Sequence, residues 1–442
     1  MTLFHRRSLA ALSLAASLAA PGAVRAEVAL IGIGVIPGTA RDQSGLSGLL
    51  EDGVTPGDLI GGFGSAVTYS GSGKRYYATP DRGPADGMTS YKDRLYTLEI
   101  EVKRLAPNAY RIDPKVVRTR LLRMEDHGGI FTGSAAAFDP TNSPASLRLD
   151  PEGIRVSRCG DTVFVSDEYG PFLYEFRIAD GKRLRSIPLP NKFLIDRPSA
   201  TPAVELSENK FGRQANRGME GLAISPDGSK LYGMMQNALI QDGALSATNS
   251  RIGRNNRIVE IDLETGAVRE FVYVLDAASN GTNEIVAVND REFLVIERDG
   301  QAGNNARFKK IFKIDITSAT DVRNLATLPT SGLPSGVQAV AKSLFFDMLD
   351  PKFGLAGPTF PEKPEALTFG PRLRDGRLLL FVVSDNDFIQ TQNTSFFAFA
   401  IDPSDLPGYA PQEIRRGGRG CHDHDRRHDR DDDDHGWRDR ND

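Results

Sequence analysis

Acidic and amide residues recur at matching points along this sequence. Glutamates stand at the entry to four apolar, β-rich segments, in DPEG, GMEG, TNEI and KPEA, and these are Glu152, Glu220, Glu284 and Glu365. Polar clusters follow the second strand of each unit, and these are Asp81-Arg82, Asp167-Glu168-Tyr169, Gln236-Asn237, Glu297-Arg298-Asp299 and Asp385-Asn386-Asp387. In a hairpin the start of one strand lies beside the end of the next, so each glutamate should meet its own polar cluster.

Carboxylates gathered in this way repel one another and raise each other's pKa unless a cation compensates. A hard divalent cation with oxygen ligands, above all Ca²⁺, is the natural partner, because the chain has two cysteines and few histidines. We predict that the metal is held by Glu152, Asp167, Glu168, Glu220, Glu297 and Asp299. We expect a small anionic substrate to be bound by Arg82, Arg298 and Asn237. Alternatively, each glutamate accepts backbone N–H bonds or pairs with an arginine of a neighbouring unit.

Residues 217–239, RGMEGLAISPDGSKLYGMMQNAL, show which elements would position these groups. Apolar runs at 221–224 and 231–235 flank the turn Ser225-Pro-Asp-Gly228, in which Pro and Gly suit a tight reversal. The pattern predicts a β-hairpin with Glu220 at the start of its first strand and Gln236 and Asn237 after its second.

The same four-stranded plan occurs five times, at spacings of roughly 65 to 90 residues, which is typical of a repeat architecture. Four antiparallel strands per unit indicate a β-propeller. The last unit has three clear strands, and the isolated run at 28–36 can supply its fourth. We therefore predict an all-β propeller of five or six four-stranded blades, closed by the N-terminal strand. A sixth blade would have to come from residues 101–150 or 322–362.

The ends of the chain differ from its middle in composition. Arg6-Arg7, an apolar stretch at 9–20 and small residues up to Ala26 predict a signal peptide at 1–26, hence a periplasmic or secreted protein. The propeller is predicted over 27–412. Residues 413–442 are rich in His, Asp and Arg and poor in apolar residues, which predicts a disordered tail.

Composition also excludes several classes of function. The formal net charge of −4 argues against nucleic acid as the main partner. Outside the N-terminal segment no apolar run approaches the length that spans a bilayer. A Ser-His-Asp hydrolase is disfavoured, because His127 is the single histidine in the predicted propeller. The pairing of Cys159 with Cys421 stays open.

Several motifs together resemble the bacterial family described as "esterase-like activity of phytase". They are DPEGIRV, SDEYGPFLYEF, RGMEGLAISPDGSKLYGMMQNAL, RIVEIDL and ERD, and the resemblance spans roughly residues 40–405. It implies an exported, metal-dependent propeller that hydrolyses phosphate esters or related anionic esters. The alternative function is a non-enzymatic periplasmic propeller that binds a ligand or a protein and contains a structural calcium site.

Overall fold

The computed structural model describes residues 28–63, 66–125, 128–170 and 172–416. Within them the chain forms five four-stranded antiparallel sheets, which are the blades of a β-propeller. The predicted signal peptide, His127 and the chain beyond residue 416, with Cys421, lie outside the described residues. No helix in the described ranges is long and apolar enough to cross a membrane.

The strands follow one another along the chain in blade order. The N-terminal strand is β1 (Val28–Ile36). Blade one contains β2 (Ala66–Tyr69), β3 (Arg75–Thr79), β4 (Arg94–Ala106) and β5 (Ala109–Leu121). Blade two contains β6 (Pro151–Val156), β7 (Thr162–Asp167), β8 (Phe172–Arg177) and β9 (Arg183–Pro188). Blade three contains β10 (Met219–Ile224), β11 (Lys230–Met235), β12 (Asn255–Asp262) and β13 (Val268–Val274).

Blade four contains β14 (Gly281–Ala287), β15 (Glu292–Arg298), β16 (Lys309–Asp315) and β17 (Ala341–Asp347). Blade five contains β18 (Lys363–Phe369), β19 (Leu378–Asp385), β20 (Thr394–Ile401) and the strand β1. One short helix, α1 (Pro202–Glu208), lies in the connection from blade two to blade three. Short 3-10 helices occur at Ala135–Ala137, Asn191–Phe193, Ile240–Asp242, Gly303–Asn305, Pro351–Phe353 and Pro403–Asp405.

The blade count is five, so the structure decides between the two predicted numbers. The first stretch considered for a sixth blade, 101–150, begins with the long β4–β5 hairpin of blade one. The second stretch, 322–362, contributes only β17, the outer strand of blade four. β1 pairs antiparallel with β20, from Val28 opposite Ile401 to Ile36 opposite Thr394.

The five inner strands surround a central channel. β2, β6, β10, β14 and β18 each contact the next inner strand, and β18 contacts β2. All six residues of β6 and all six of β10 are buried, because blades pack against both faces of the sheets. We call the end of the channel at which the inner strands begin the mouth.

The hydrophobic core lies between successive blades. Tyr76 of blade one packs edge-on against Phe381 of blade five, with ring centroids 5.8 Å apart. Phe346 of blade four packs on Phe399 of blade five at 4.8 Å. Aromatic pairs of this kind bury large areas and hold neighbouring sheets together. The blades therefore form a rigid frame for the side chains at the mouth.

Candidate metal centre at the channel mouth

A one-residue β-bulge interrupts the beginning of three inner strands, at the predicted glutamate in each. In β6, Pro151 pairs with Asp167 and Gly153 with Ser166, so Glu152 has no opposite residue. The same irregularity occurs at Glu220 in β10 and at Glu365 in β18. A bulge bends its strand and turns the extra side chain away from the regular alternation. The repeated bulge therefore sets the direction of these glutamate side chains at the mouth.

Blade four departs from the predicted equivalence by one residue. The bulge of β14 lies between Thr282 and Ile285. Asn283 occupies the mouth, where its Nδ2 donates to Glu220 Oε1 at 2.7 Å and to Glu365 Oε1 at 3.1 Å. One amide therefore joins the carboxylates of the two flanking blades.

Glu284 was grouped with the mouth glutamates on the basis of the sequence. In the structure it accepts backbone N–H bonds and pairs with an arginine of another blade, which is the alternative given above. Its Oε1 accepts from the backbone N–H groups of Leu222 and Ile285, and its Oε2 lies 3.0 Å from Arg155 Nη2. Glu284 is therefore part of an ion pair inside the channel.

Three buried carboxylates lie together on blade two. One oxygen from each of Asp150, Glu152 and Glu168 falls within 4.8 Å of the other two. Asp150 directly precedes β6 and Glu168 directly follows β7, so the hairpin geometry brings them together. Asp150 was missing from the predicted ligands. In the sequence it is the first residue of the motif DPEG, two positions before the predicted ligand Glu152.

Two arginine side chains pair with carboxylates at the mouth, Arg82 with this group and Arg298 with Glu365. Arg82 Nη1 lies 3.0 Å from Asp150 Oδ2 and 3.7 Å from Glu168 Oε2, and the backbone N–H of Arg82 donates to Asp150. Arg298 donates from Nη2 to Glu365, and its Nε has no acceptor among the described residues. Both predicted anion-binding arginines are therefore at the mouth.

Glu220 extends the carboxylate group toward blade three. Its Oε1 accepts from Gln236 and Asn283, while Oε2 is buried without a hydrogen-bond partner in the described part of the chain. Burial, followed by the charges of Glu168 and Glu365, raises the pKa of Glu220 well above its ordinary value. Burial and the Glu220 carboxylate act in the same way on the pKa of Glu152. Glu220 Oε2 therefore lacks a donor among the described residues, and a bound cation would supply the missing partner.

A second acidic group lies on blades one and five and already contains a cation. One oxygen from each of Asp81, Asp385 and Asp387 lies within 4.8 Å of the others. Lys363 Nζ is 2.6 Å from Asp387 Oδ1 and 3.5 Å from Asp385 Oδ2. Burial opposes the charge on Lys363, but the neighbouring carboxylates prevail and raise its pKa well above the ordinary value. Each group thus includes one basic side chain, Lys363 here and Arg82 in the blade-two group. The blade-two group is the better metal candidate because all three of its carboxylates are buried, whereas Asp387 is exposed.

Asp167 is not one of the three carboxylates of the blade-two group, but its hydrogen bonds fix the backbone that positions them. Its Oδ1 accepts from the backbone N–H of Asp150 at 3.0 Å and from that of Tyr169 at 3.1 Å. Burial raises the pKa of Asp167 to about 7. The two hydrogen bonds hold the residue before β6 against the loop after β7, which places Asp150 beside Glu168.

The structure does not bring Glu297 or Asp299 into the carboxylate group. Glu297 accepts from Tyr273 Oη, Lys342 Nζ, the backbone N–H of Asp276 and Asn280 Nδ2, at distances from 2.6 to 2.8 Å. It therefore ties β15 to the outer strands of blades three and four. Asp299 accepts from backbone N–H groups of its own loop and from Lys309 Nζ at 2.9 Å.

Of the amides after β11, Gln236 lies at the mouth and Asn237 supports a loop. Gln236 donates to Glu220 and accepts from Arg217, a third arginine that was not among the predicted residues. Asn237 Nδ2 donates to the backbone oxygen of Asn280 at 2.7 Å. The Oδ1 of Asn237 is buried without a partner in the described ranges.

The sequence matches a family model and a protein of known sequence. The model of a phytase-like family, described as "esterase-like activity of phytase", matches residues 58–388. An uncharacterized secreted protein of Arthroderma benhamiae is 28% identical over 375 residues, covering 67% of this chain and 69% of that protein. The family match confirms the predicted family, whereas its bacterial origin is not shown, since the relative is fungal.

Three solved structures align with this chain at low similarity. The periplasmic gluconolactonase PpgL of Pseudomonas aeruginosa is 10% identical with a TM-score of 0.35, covering 88% of this chain and 99% of that one. A putative 6-phosphogluconolactonase from Bacteroides uniformis is 13% identical with a TM-score of 0.32, covering 76% and 85%. KlHsv2 with a replaced loop is 12% identical with a TM-score of 0.27. The match covers 64% of this chain and 57% of KlHsv2. Such distant similarity carries no argument about function.

Proposed function

Because this chain belongs to the family described as "esterase-like activity of phytase", we propose that it is an exported, divalent-cation-dependent hydrolase of phosphate esters or related anionic esters. The observation that carries the proposal is the buried carboxylate group of Asp150, Glu152 and Glu168. Glu220, whose Oε2 has no hydrogen-bond partner in the described residues, is close enough to raise the pKa of Glu152. Its location, periplasmic or secreted, follows from the N-terminal segment and agrees with a relative named as secreted.

The donor set fits a hard cation and Ca²⁺ in particular. All candidate ligands are carboxylate oxygens, with no cysteine or histidine in the group. Carboxylate oxygens are the ligands that Ca²⁺ prefers, and several of them can share one ion because its coordination is flexible. We assign the ligand roles to Asp150, Glu152, Glu168 and Glu220. When bound, the cation would stabilise negative charge that develops on the ester group.

The arginines at the mouth would orient the substrate. Arg82 and Arg298 are buried, so their charges act in a medium that screens them weakly. The Nε of Arg298 is an unused donor, and an anionic ester oxygen would give it an acceptor. Guanidinium groups bind phosphate and carboxylate oxygens with two parallel hydrogen bonds where the geometry allows. Substrates with an anionic ester group should therefore be preferred over neutral esters.

The test compares anionic and neutral chromogenic esters with the purified protein. We expect turnover of 4-nitrophenyl phosphate or bis(4-nitrophenyl) phosphate, little turnover of 4-nitrophenyl acetate, loss of activity with EGTA and recovery with CaCl₂. Glu152→Gln and Glu220→Gln should each reduce activity by about 100-fold or more and lower the calcium content. The matched control is Glu260→Gln, another buried glutamate, which pairs with Lys230 and Arg269 far from the mouth. Turnover that chelation leaves unchanged would contradict metal dependence.

A second candidate function, a binding propeller with a structural cation, is favoured by one feature of the mouth. Asn283 bonds the glutamates of both flanking blades, so a cation beside them would also crosslink the ring. In that case EGTA would lower the melting temperature while none of the three esters is turned over. An unchanged melting temperature together with chelator-sensitive turnover would reject this candidate.

A further inference from the structure

The far end of the channel, opposite the mouth, is crossed by residues 409–416, which we call the strap. The strap is bonded to the inner hairpin turns of three blades. Ala410 N–H donates to Val288 of blade four, Glu413 N–H to Pro226 of blade three and Arg415 N–H to Arg158 of blade two, at 2.7 to 2.8 Å. These backbone bonds hold the strap across the channel, so it forms a wall of whatever space lies beneath.

A cavity of about 410 Å³ lies beneath the strap. Its walls include the aromatic rings of Tyr69, Phe369 and Tyr409, and the last two pack with centroids 4.5 Å apart. Apolar side chains such as Ile224 and Val286 complete much of the remaining wall. A volume of this size falls within the range of small-molecule sites, roughly 300 to 1,000 Å³. The cavity therefore has the size and the apolar lining of a ligand site.

Arg155 separates this cavity from the mouth. Its side chain reaches across the channel from β6, where it donates to backbone oxygens of Val67 on β2, Ile285 on β14 and Leu367 on β18. It also pairs with Glu284. Its Nε is buried without an acceptor in the described chain, although the side chain lines the cavity. A buried donor without an acceptor is costly, and a ligand oxygen would satisfy it.

The charged residues that line the cavity are arginines, of which Arg155 is paired with Glu284 and Arg372 is not paired with a carboxylate in the described chain. Among the described lining residues Arg155 and Arg372 are charged, and no carboxylate faces the space. Arg372 donates to the backbone oxygen of Gly376 and has no carboxylate partner in the described ranges. The mouth, by contrast, collects buried carboxylates. The far end of the channel thus favours an anionic ligand without requiring a bound cation.

We propose that the strap cavity is a binding site for a small aromatic anion, a carboxylate or sulfonate whose planar body lies against Tyr69, Phe369 and Tyr409. The anionic group meets Arg155 and Arg372, and the apolar rings contact the aromatic walls. The site is independent of the carboxylate group at the mouth and of any hydrolysis there.

The test uses 1-anilinonaphthalene-8-sulfonate as the anionic aromatic probe and N-phenyl-1-naphthylamine as its neutral counterpart. We expect one molecule of the sulfonate probe to bind per chain with saturable binding. The neutral probe should bind more weakly, and EGTA should change the affinity of neither probe. Ala410→Trp, which fills the cavity from the strap, should weaken binding of the anionic probe by about tenfold or more. The matched control Ala179→Trp, at an exposed alanine in the β8–β9 turn, should leave it unchanged.

Arg372→Gln keeps the proposal testable if the tryptophan variant does not fold. Arg372 is exposed and makes no ion pair in the described chain, so its replacement should preserve the fold. The affinity for the anionic probe should fall by about tenfold. The exposed Arg374, in the same loop, provides the control Arg374→Gln. Equal affinity of Arg372→Gln, Arg374→Gln and wild type would overturn the assignment of an anion site. Equal affinity for the neutral and the anionic probe would overturn it as well.

Discussion

Replacing Arg155 with methionine should destabilise the propeller strongly, because it would leave Glu284 as an isolated charge inside the channel. The two side chains are 4% and 0% exposed and lie 3.0 Å apart. Removing one partner of a buried ion pair costs about 3–5 kcal/mol, whereas replacing both by uncharged groups of similar volume is often nearly neutral. The loss of the hydrogen bonds from Arg155 to the oxygens of Ile285 and Leu367 adds to this cost.

The pH dependence of this variant has a definite sign. Burial raises the pKa of Glu284 from 4.5 to about 7, with the charge of Arg155 acting against the shift. Since the folded pKa lies above the unfolded one, the contribution of Glu284 to stability falls as pH rises between these values. In wild type the fall ends near pH 7. Without Arg155 the pKa of Glu284 in the folded protein is higher still. The contribution of Glu284 to the unfolding free energy therefore continues to fall above pH 7, at about 1.4 kcal/mol per pH unit.

The assay is urea unfolding followed by far-ultraviolet circular dichroism at pH 6 and pH 8.5, with EGTA present throughout so that no cation binding contributes. The difference in unfolding free energy between wild type and Arg155→Met should be larger at pH 8.5. The double variant Arg155→Met with Glu284→Gln should recover part of the stability and lose the added pH dependence. A single-variant cost below about 1 kcal/mol, or the same cost at both pH values, would refute the reasoning.

Two further predictions concern the frame of the propeller. Gly221→Ala should lower the unfolding free energy by about 1–3 kcal/mol, because the added Cβ would lie 2.9 Å from backbone of the adjoining strand β14. Gly48→Ala, where nothing lies within 4 Å and φ is not positive, should leave stability unchanged or raise it by less than about 1 kcal/mol. Arg257→Met should cost about 3–5 kcal/mol in urea unfolding, since its buried pairs with Asp242 and Glu270 both break. Equal midpoints for the two glycine variants, or a wild-type midpoint for Arg257→Met, would contradict these expectations.

The repeating hairpins were visible in the sequence because a strand buried between blades is apolar and is bounded by turn residues. The SPDG turn after Ile224 and the polar residues after Met235 marked one such hairpin, and the same order elsewhere predicted the propeller. The number of blades stayed open, because strand pattern alone does not show which strands share a sheet. Strand β17 belongs to blade four only through its pairing with β16.

The gathering of acidic and amide side chains at the mouth also followed from the sequence, whereas the identity of the side chains that meet there did not. Neighbouring residues of a strand point to opposite faces, so a shift of one residue exchanges inward and outward groups. Asp167 and Glu168 are adjacent, yet one positions backbone and the other joins the carboxylate group. At β14 the bulge gives the mouth Asn283 and directs Glu284 to Arg155.

Residue types and their order along the chain thus determined an all-β repeat with carboxylates at one end of a channel. Only the tertiary structure decided which carboxylates meet, because bulges and strand register set the direction of each side chain. It alone revealed the strap cavity and Arg155 across the channel, since both depend on contacts between residues far apart in sequence. The strap brings Ala410 to Val288 and Arg415 to Arg158, and no local pattern predicts such contacts.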